Sequence, residues 1–344
     1  MNRILVLCVG MAVGVGMVVP ARSQESVSKV GTTAAPFLEI PVGARAMAMG
    51  NAFVGTADDI TSLYWNPAGL ARLLSGEAVF NHAYWIADMR FDYAAVGVPL
   101  SDFGSLGISF TQLSMDDQPV RTVERPEGTG EQFEAGSYAI GLHYARTLLD
   151  WFAIGFTVKY IDEHIWHMKS QAFALDVGTL FTTEFLNGLR IGASVTNFGT
   201  EMQLAGSDAR TFHPVDPTVY GSNQRIPQNI EMDSWDLPMN FQIGIAADVI
   251  KSDDHLLTLA IDALHPSDNH ESVNLGAEYG FRRILFLRGG YQSLFLIDGE
   301  GGLSLGAGVL APLFGEDLKA RFDYAYTNYG RLNAVHVFAV GLLF

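Results

Sequence analysis

The stretch WFAIGFTVKY, Trp151 to Tyr160, decides the fold class. Phe152, Ile154, Phe156, Val158 and Tyr160 fall on one face of an extended chain, and Ala153, Gly155, Thr157 and Lys159 on the other. This is the period-2 alternation of a strand with one apolar side. Its length, about ten residues, is that of a tilted strand crossing a membrane. A soluble sandwich also alternates, but it seldom sets glycines and a lysine opposite so aromatic a face.

Similar runs cover residues 76–87, 89–99, 104–115, 132–146, 151–162, 168–181, 188–198, 237–250, 255–265, 271–281, 283–293, 301–312, 317–328 and 334–344. They predict an all-β transmembrane protein, a 14-stranded antiparallel outer-membrane β-barrel. Loop lengths support the count, because outer-membrane barrels alternate long external loops with short periplasmic turns. The gaps Asp116 to Glu131 and Gly199 to Asp236 fall on one side, with Asp162 to His167 and Pro266 to His270. Leu148 to Asp150, Lys251 to Asp254 and Arg282 to Arg283 fall on the other and are short. Tyr84, Trp85, Trp151, Tyr160, Tyr326 and Tyr329 sit near strand ends, where interfacial aromatic girdles are expected. The last run ends in Phe344, which reads as the C-terminal assembly signal met by the barrel assembly machinery.

The beginning of the chain fits export. Arg3, the apolar run Ile4 to Val19 and Ala21-Arg22-Ser23 read as the n-region, h-region and cleavage site of a signal peptide over residues 1–23. The run is short for a membrane anchor and is interrupted by glycines. The only cysteine, Cys8, leaves with that segment, so no disulfide or thiol chemistry is expected. The net charge of −16 argues against nucleic acid, whose phosphates require clustered Lys and Arg.

Residues 24–75 do not alternate and are assigned to a hatch preceding the barrel proper at 76–344. Pro41 to Met49 is rich in small residues and methionine and can form a short helix stopped by Gly50-Asn51. Ala52-Phe53-Val54 reads as a brief strand, and Asp58 or Asp59 as the cap of a helical turn through Tyr64. Asn66 is an N-cap with Pro67 at the first helical position. A fourteen-strand lumen is too wide for wall side chains to fill, so these compact helices read as a plug.

Gly31 to Leu73 resembles the N-terminal signature of the PorV/PorQ family, within the wider FadL-like barrels. The resemblance rests on Phe37-Leu38, Gly43-Ala44-Arg45-Ala46, Met49-Gly50-Asn51-Ala52-Phe53-Val54, Ala57-Asp58-Asp59 and Tyr64-Trp65-Asn66-Pro67-Ala68-Gly69-Leu70. It implies a fourteen-strand barrel in the outer membrane with an N-terminal hatch. The structural or gating candidates that the resemblance implies in the hatch are Arg45, Met49, Gly50, Phe53, Asp58, Asp59, Trp65, Asn66, Pro67, Ala68 and Gly69. Relatives of the PorV type serve type IX secretion by carrying secreted proteins, whereas FadL relatives pass long-chain fatty acids and other hydrophobic compounds.

No catalytic, cofactor or metal site is expected. Gly302-Leu303-Ser304-Leu305-Gly306 matches Gly-x-Ser-x-Gly but lies within an alternating strand, without the required strand-turn-helix elbow. Glu163, His164 and His167 read as a solvated loop. Lys159, Asp176, Arg190, Asp248, Asp262, Glu278, Arg288, Arg321 and Asp323 alternate onto the lumen face and read as compensating pairs. Met47, Met49, Phe53 and Leu63 either line an apolar pocket or pack the plug. The leading functional expectation is binding of exported proteins and secretion-system components at the external loops, where Met202, Leu204, Phe212, Val215, Val219, Tyr220 and Trp235 supply apolar tips. The alternatives are a channel for a fatty-acid-like ligand and a purely structural barrel. Outer-membrane lipid surrounds the wall in each case.

Overall fold

The computed structural model describes residues 29–213, 218, 225–296, 299–314 and 318–344. The segment expected to be a signal peptide lies outside them. Fourteen strands make the wall: β1 (Glu77–Tyr84), β2 (Arg90–Pro99), β3 (Ser105–Ser114), β4 (Ala135–Leu149), β5 (Phe152–Ile165), β6 (Met168–Thr182), β7 (Arg190–Gly199), β8 (Asn240–Lys251), β9 (His255–Pro266), β10 (Ser272–Phe281), β11 (Leu285–Leu294), β12 (Leu303–Phe314), β13 (Leu318–Asn328) and β14 (Ala334–Leu343). Each pairs antiparallel with its sequence neighbour. The ring closes where β14 meets β1, from Glu77 opposite Leu343 to Tyr84 opposite His336. The Phe344 N–H donates to the Gly76 carbonyl at 2.8 Å and completes the seam.

Alternation sets the two faces. In β5, Ala153, Gly155 and Thr157 turn inward and are buried, while Phe156 and Val158 turn outward among the apolar residues that meet lipid. Strand boundaries differ from the predicted runs where loops contribute pairing of their own. Residues 132–133 pair with 118–119 in a small hairpin, so β4 starts later than its run. β5 and β6 pair out to Ile165 and Met168, replacing a predicted loop with a tight turn in which Trp166 has φ 52°. The described parts of the long β7–β8 connection also pair. Met202–Gln203 pairs with Ser234–Trp235, and Arg210–His213 with Ile226–Asn229. These long connections mark the external end, because short turns face the periplasm in such barrels.

The segment before β1 folds inside the wall. It contains α1 (Ala44–Ala48), α2 (Ser62–Trp65) and 3-10 turns at Pro36–Glu39 and Pro67–Arg72. α1 stops where Gly50 and Asn51 take φ values of 61° and 64°, left-handed conformations open to glycine and tolerated by asparagine. Ala52-Phe53-Val54 forms no strand, because its amides bond to a wall side chain instead of a second strand.

A belt of wall glycines lets the two backbones meet. An added Cβ would lie 2.3 Å from the Pro67 carbonyl carbon at Gly155, 2.1 Å from Asn66 Oδ1 at Gly178 and 2.2 Å from the Val54 carbonyl oxygen at Gly192. At Gly276 and Gly290 it would lie 2.5 Å from the Met49 carbonyl oxygen and 2.2 Å from the Gly50 nitrogen. Cross-strand register joins these positions, with Gly155 opposite Gly178 and Gly276 opposite Gly290.

Replacing Gly290 by Ala is expected to unseat the hatch, because its Cβ would run into the Met49–Gly50 peptide of the hatch backbone. Gly289→Ala is the control, since its nearest neighbour is Leu305 Cδ2 at 3.6 Å, an ordinary contact. Limited proteolysis of the folded, heat-modifiable barrel checks this: hatch cleavage should rise only in the Gly290 variant.

Candidate functional site: the hatch seat and the cavity above it

The wall binds the hatch through its backbone as well as its side chains. Asp262 Oδ2 accepts from the N–H groups of Phe53 at 2.7 Å and Val54 at 2.8 Å. Asn66 uses both ends of its amide. Its Oδ1 accepts from the Ala68 N–H at 3.1 Å, capping the turn that begins at Pro67. Its Nδ2 donates to the carbonyls of Val54 at 3.1 Å and Thr179 at 3.0 Å, joining hatch to wall. Ser194 Oγ donates to the Trp65 carbonyl, and Trp65 Nε1 donates to that of Val42. Ala68 and Gly69 follow, fully buried, and Gly69 packs against the Ala57 carbonyl and Ser62.

Charged side chains form a closed ring across the same seat. Arg45 Nε and Nη2 grip both oxygens of Glu278 at 2.8 and 2.7 Å, a bidentate pair. Glu278 also accepts from Arg288 Nε at 2.6 Å, and Arg288 Nη1 donates to Asp323 Oδ1 at 2.6 Å. Asp323 pairs with Arg321 Nε at 2.7 Å, and Arg321 Nη1 reaches Asp59 Oδ2 at 3.1 Å. Arg45 Nη1 closes the ring on Asp59 Oδ2 at 2.9 Å and holds Asp58 at 2.6 Å. The sign alternates around three arginines and three carboxylates, with Asp58 appended. Burial opposes charge on Asp59, yet Arg321 and Arg45 hold its carboxyl down to about 2, below the ordinary 3.8.

The aspartates therefore do more than cap. Asp59 Oδ1 does accept from the Thr61 N–H at 2.9 Å, but Asp58 serves as an ion-pair partner of Arg45. Among the other lumen-facing charges Lys159 pairs with Asp176 at 2.9 Å and Arg190 with Asp248 at 2.7 Å, whereas Asp262, expected in a compensating pair, instead takes the two hatch amides. Sequence reasoning missed the convergence of hatch and wall charges. The available signal was the placement of Glu278, Arg288 and Asp323 on the lumen faces of β10, β11 and β13.

Above the seat lies a cavity of about 610 Å³. Its hatch side is Pro36 to Pro41 with Leu63, Tyr64 and Trp65; its wall side includes the polar Thr111, Asn197, Asn240, Gln242, Asn274 and Gln292. Leu63 reaches this space, whereas Met47, Met49 and Phe53 are packed into the plug at 0 to 1% exposure and do not line it. Trp85 and Tyr329, expected in the lipid-facing girdle, instead line the cavity with their rings 5.5 Å apart. Met202, expected at a loop tip, is buried, while Phe212 and Trp235 are exposed. Val215, Val219 and Tyr220 lie outside the described residues. Ser304 is buried within β12, its hydroxyl 3.3 Å from that of Thr327. Glu163 accepts from the Ala35 N–H, while His164 and His167 approach different carboxylates, Glu134 and Asp208.

A family model described as "Type IX secretion system protein PorV" matches residues 22–264. No curated protein sequence matches the chain. Among solved structures, the CymD monoaromatic hydrocarbon channel is similar with a TM-score of 0.53 at 12% identity, covering 88% of this chain and 96% of its own. The Ralstonia pickettii toluene transporter TbuX gives 0.52 at 11%, covering 88% and 97%. The Pseudomonas putida toluene transporter TodX gives 0.51 at 11%, covering 88% and 96%. At such identities the likeness is one of fold.

Replacing Arg45 by Ala leaves Glu278, Asp58 and Asp59 short of a buried cation, which costs about 3–5 kcal/mol for a broken buried pair. Planar-bilayer recordings should show raised or unstable conductance in a barrel that still migrates as folded. Acid should act in the same direction. Because the Asp59 carboxyl is depressed in the folded state, its contribution is full above about pH 4 and is lost as pH falls toward 2. Hatch proteolysis by an acid-active protease should therefore increase across that window, and a flat profile would count against the ring.

Proposed function

Since this chain belongs to the PorV family, we propose that it binds exported proteins at its external face and hands them on within type IX secretion. It is a non-enzymatic outer-membrane barrel. The observation that carries the reading is the seated hatch. Its backbone lies against wall glycines, its charges close a ring with the wall, and the cavity above rests on it. Such a lumen suits a surface receptor better than a through-channel, and the external loops offer Phe212, Ile230 and Trp235 as exposed apolar groups. Large apolar side chains of this kind anchor protein interfaces.

A second reading, passage of an apolar molecule, draws on the apolar side of the cavity formed by Phe37, Leu38, Ile40 and Leu63. The wall opposite mixes apolar groups such as Leu113 and Leu264 with polar ones such as Asn197 and Asn274, so a ligand there would have to leave the hydrogen bonds of the polar groups satisfied.

Replacing residues 207–231 by a short Gly-Ser turn is expected to leave barrel insertion intact and to abolish copurification of exported polypeptides. Leu63→Asp, which places a charge on the hatch side of the cavity, should leave that copurification unchanged. Native mass spectrometry after gentle detergent extraction reads both. An acyl or aromatic ligand displaced by Leu63→Asp, with no polypeptide lost on loop replacement, would favour the channel instead.

A further inference from the structure

We infer that the polypeptide enters its own barrel from outside the cell, so that Lys29–Thr33 is displayed at the external mouth. The hatch joins β1 at the opposite end, where Gly76 receives the N–H of Phe344 at the seam. Traced backwards from Gly76, the chain crosses the lumen through buried residues from Leu73 to Phe37 and then meets elements of the long-loop end. The Ala35 N–H donates to Glu163 Oε2, at the outer end of β5, at 3.2 Å. The Ala34 N–H donates to the carbonyl of Asp236, near the end of the long β7–β8 connection, at 2.8 Å. Thr33 Oγ1 donates to Asp268 Oδ2, in the β9–β10 connection, at 2.9 Å. Glu39, farther in, lies close to the same Asp268.

Beyond Thr33 the chain is open to solvent. Lys29, Gly31 and Thr32 are exposed, and Thr32 is tied only to Lys29 in a local turn. Every wall strand is paired on both sides, so the segment has no lateral route to the opposite compartment. The side it reaches follows from loop length, since the long connections of outer-membrane barrels face outward and the short turns face the periplasm. The inference depends on this orientation and is independent of what the barrel binds.

Single-cysteine variants test it in whole cells, with a membrane-impermeant maleimide carrying a polyethylene glycol chain too large to pass the barrel. Lys29→Cys is the reporter, Asp233→Cys in the long connection the external control, and Asp253→Cys in the β8–β9 turn the periplasmic control; all three native side chains are exposed. The expected result is a gel shift of Lys29→Cys in intact cells as complete as that of Asp233→Cys, while Asp253→Cys shifts only after lysis. Protection of Lys29→Cys in intact cells with a shift on lysis would place the segment in the periplasm and overturn the inference. A shift only in denaturant would show it buried and overturn it equally. Heat-modifiable migration of each variant establishes that the barrel has folded.

Discussion

Close approach of two backbones is the constraint on which this structure depends. A ring of fourteen strands encloses more space than its inward side chains can fill. The molecule meets that excess with a segment of its own chain and removes wall side chains where the segment must pass. Glycine within a strand normally weakens it, through lost packing and greater freedom when unfolded. At Gly178 and Gly192 the missing packing is supplied by Asn66, Pro67 and Val54. Wall and hatch are therefore two halves of one core rather than a container and its contents.

The ring of charges acts within that constraint. Its wall members, Glu278, Arg288, Asp323 and Arg321, balance one another, as do Arg45 and Asp59 from the hatch. Net attraction between the halves is consequently not its main effect. A buried ion pair is weak evidence for stability, yet a misplaced one is strongly unfavourable. The alternating pattern thus rewards a single seating of the hatch, because displacement by a residue would set like charges together or strand an ion. Apolar contacts such as Met47, Met49 and Phe53 add burial without comparable directional demand.

The fold was legible because its signal is local. Period-2 alternation from Trp151 to Tyr160 reports strand and face together, and the same pattern repeats through the wall. The helix stop at Gly50-Asn51 and the cap at Asn66-Pro67 were also readable, since each depends on the chemistry of a few adjacent residues. What escaped was long-range. Arg45 and Glu278 lie 233 positions apart, and no local pattern states that they meet. Trp85 and Tyr329 misled because alternation fails at strand ends, where turn geometry decides whether a ring faces lipid or lumen. Met202 misled because the long connection was read as an open loop, whereas its described parts pair and Met202 packs into the same apolar cluster as Phe37 of the hatch and Ala174 of the wall.

The seam between β1 and β14 has a consequence for assembly. The hatch is made first by the ribosome, and the strand that completes the enclosure is made last. A finished ring of hydrogen-bonded strands offers no gap through which a folded segment carrying Trp65 and four short helical turns could be drawn in afterwards. The wall must instead wrap around its own beginning, with the N-terminal segment already lying across the space when the first and last strands zip together. The glycine belt then acts during biogenesis as a template, and enclosure becomes the final, topologically irreversible step, with Phe344 and Gly76 as its clasp.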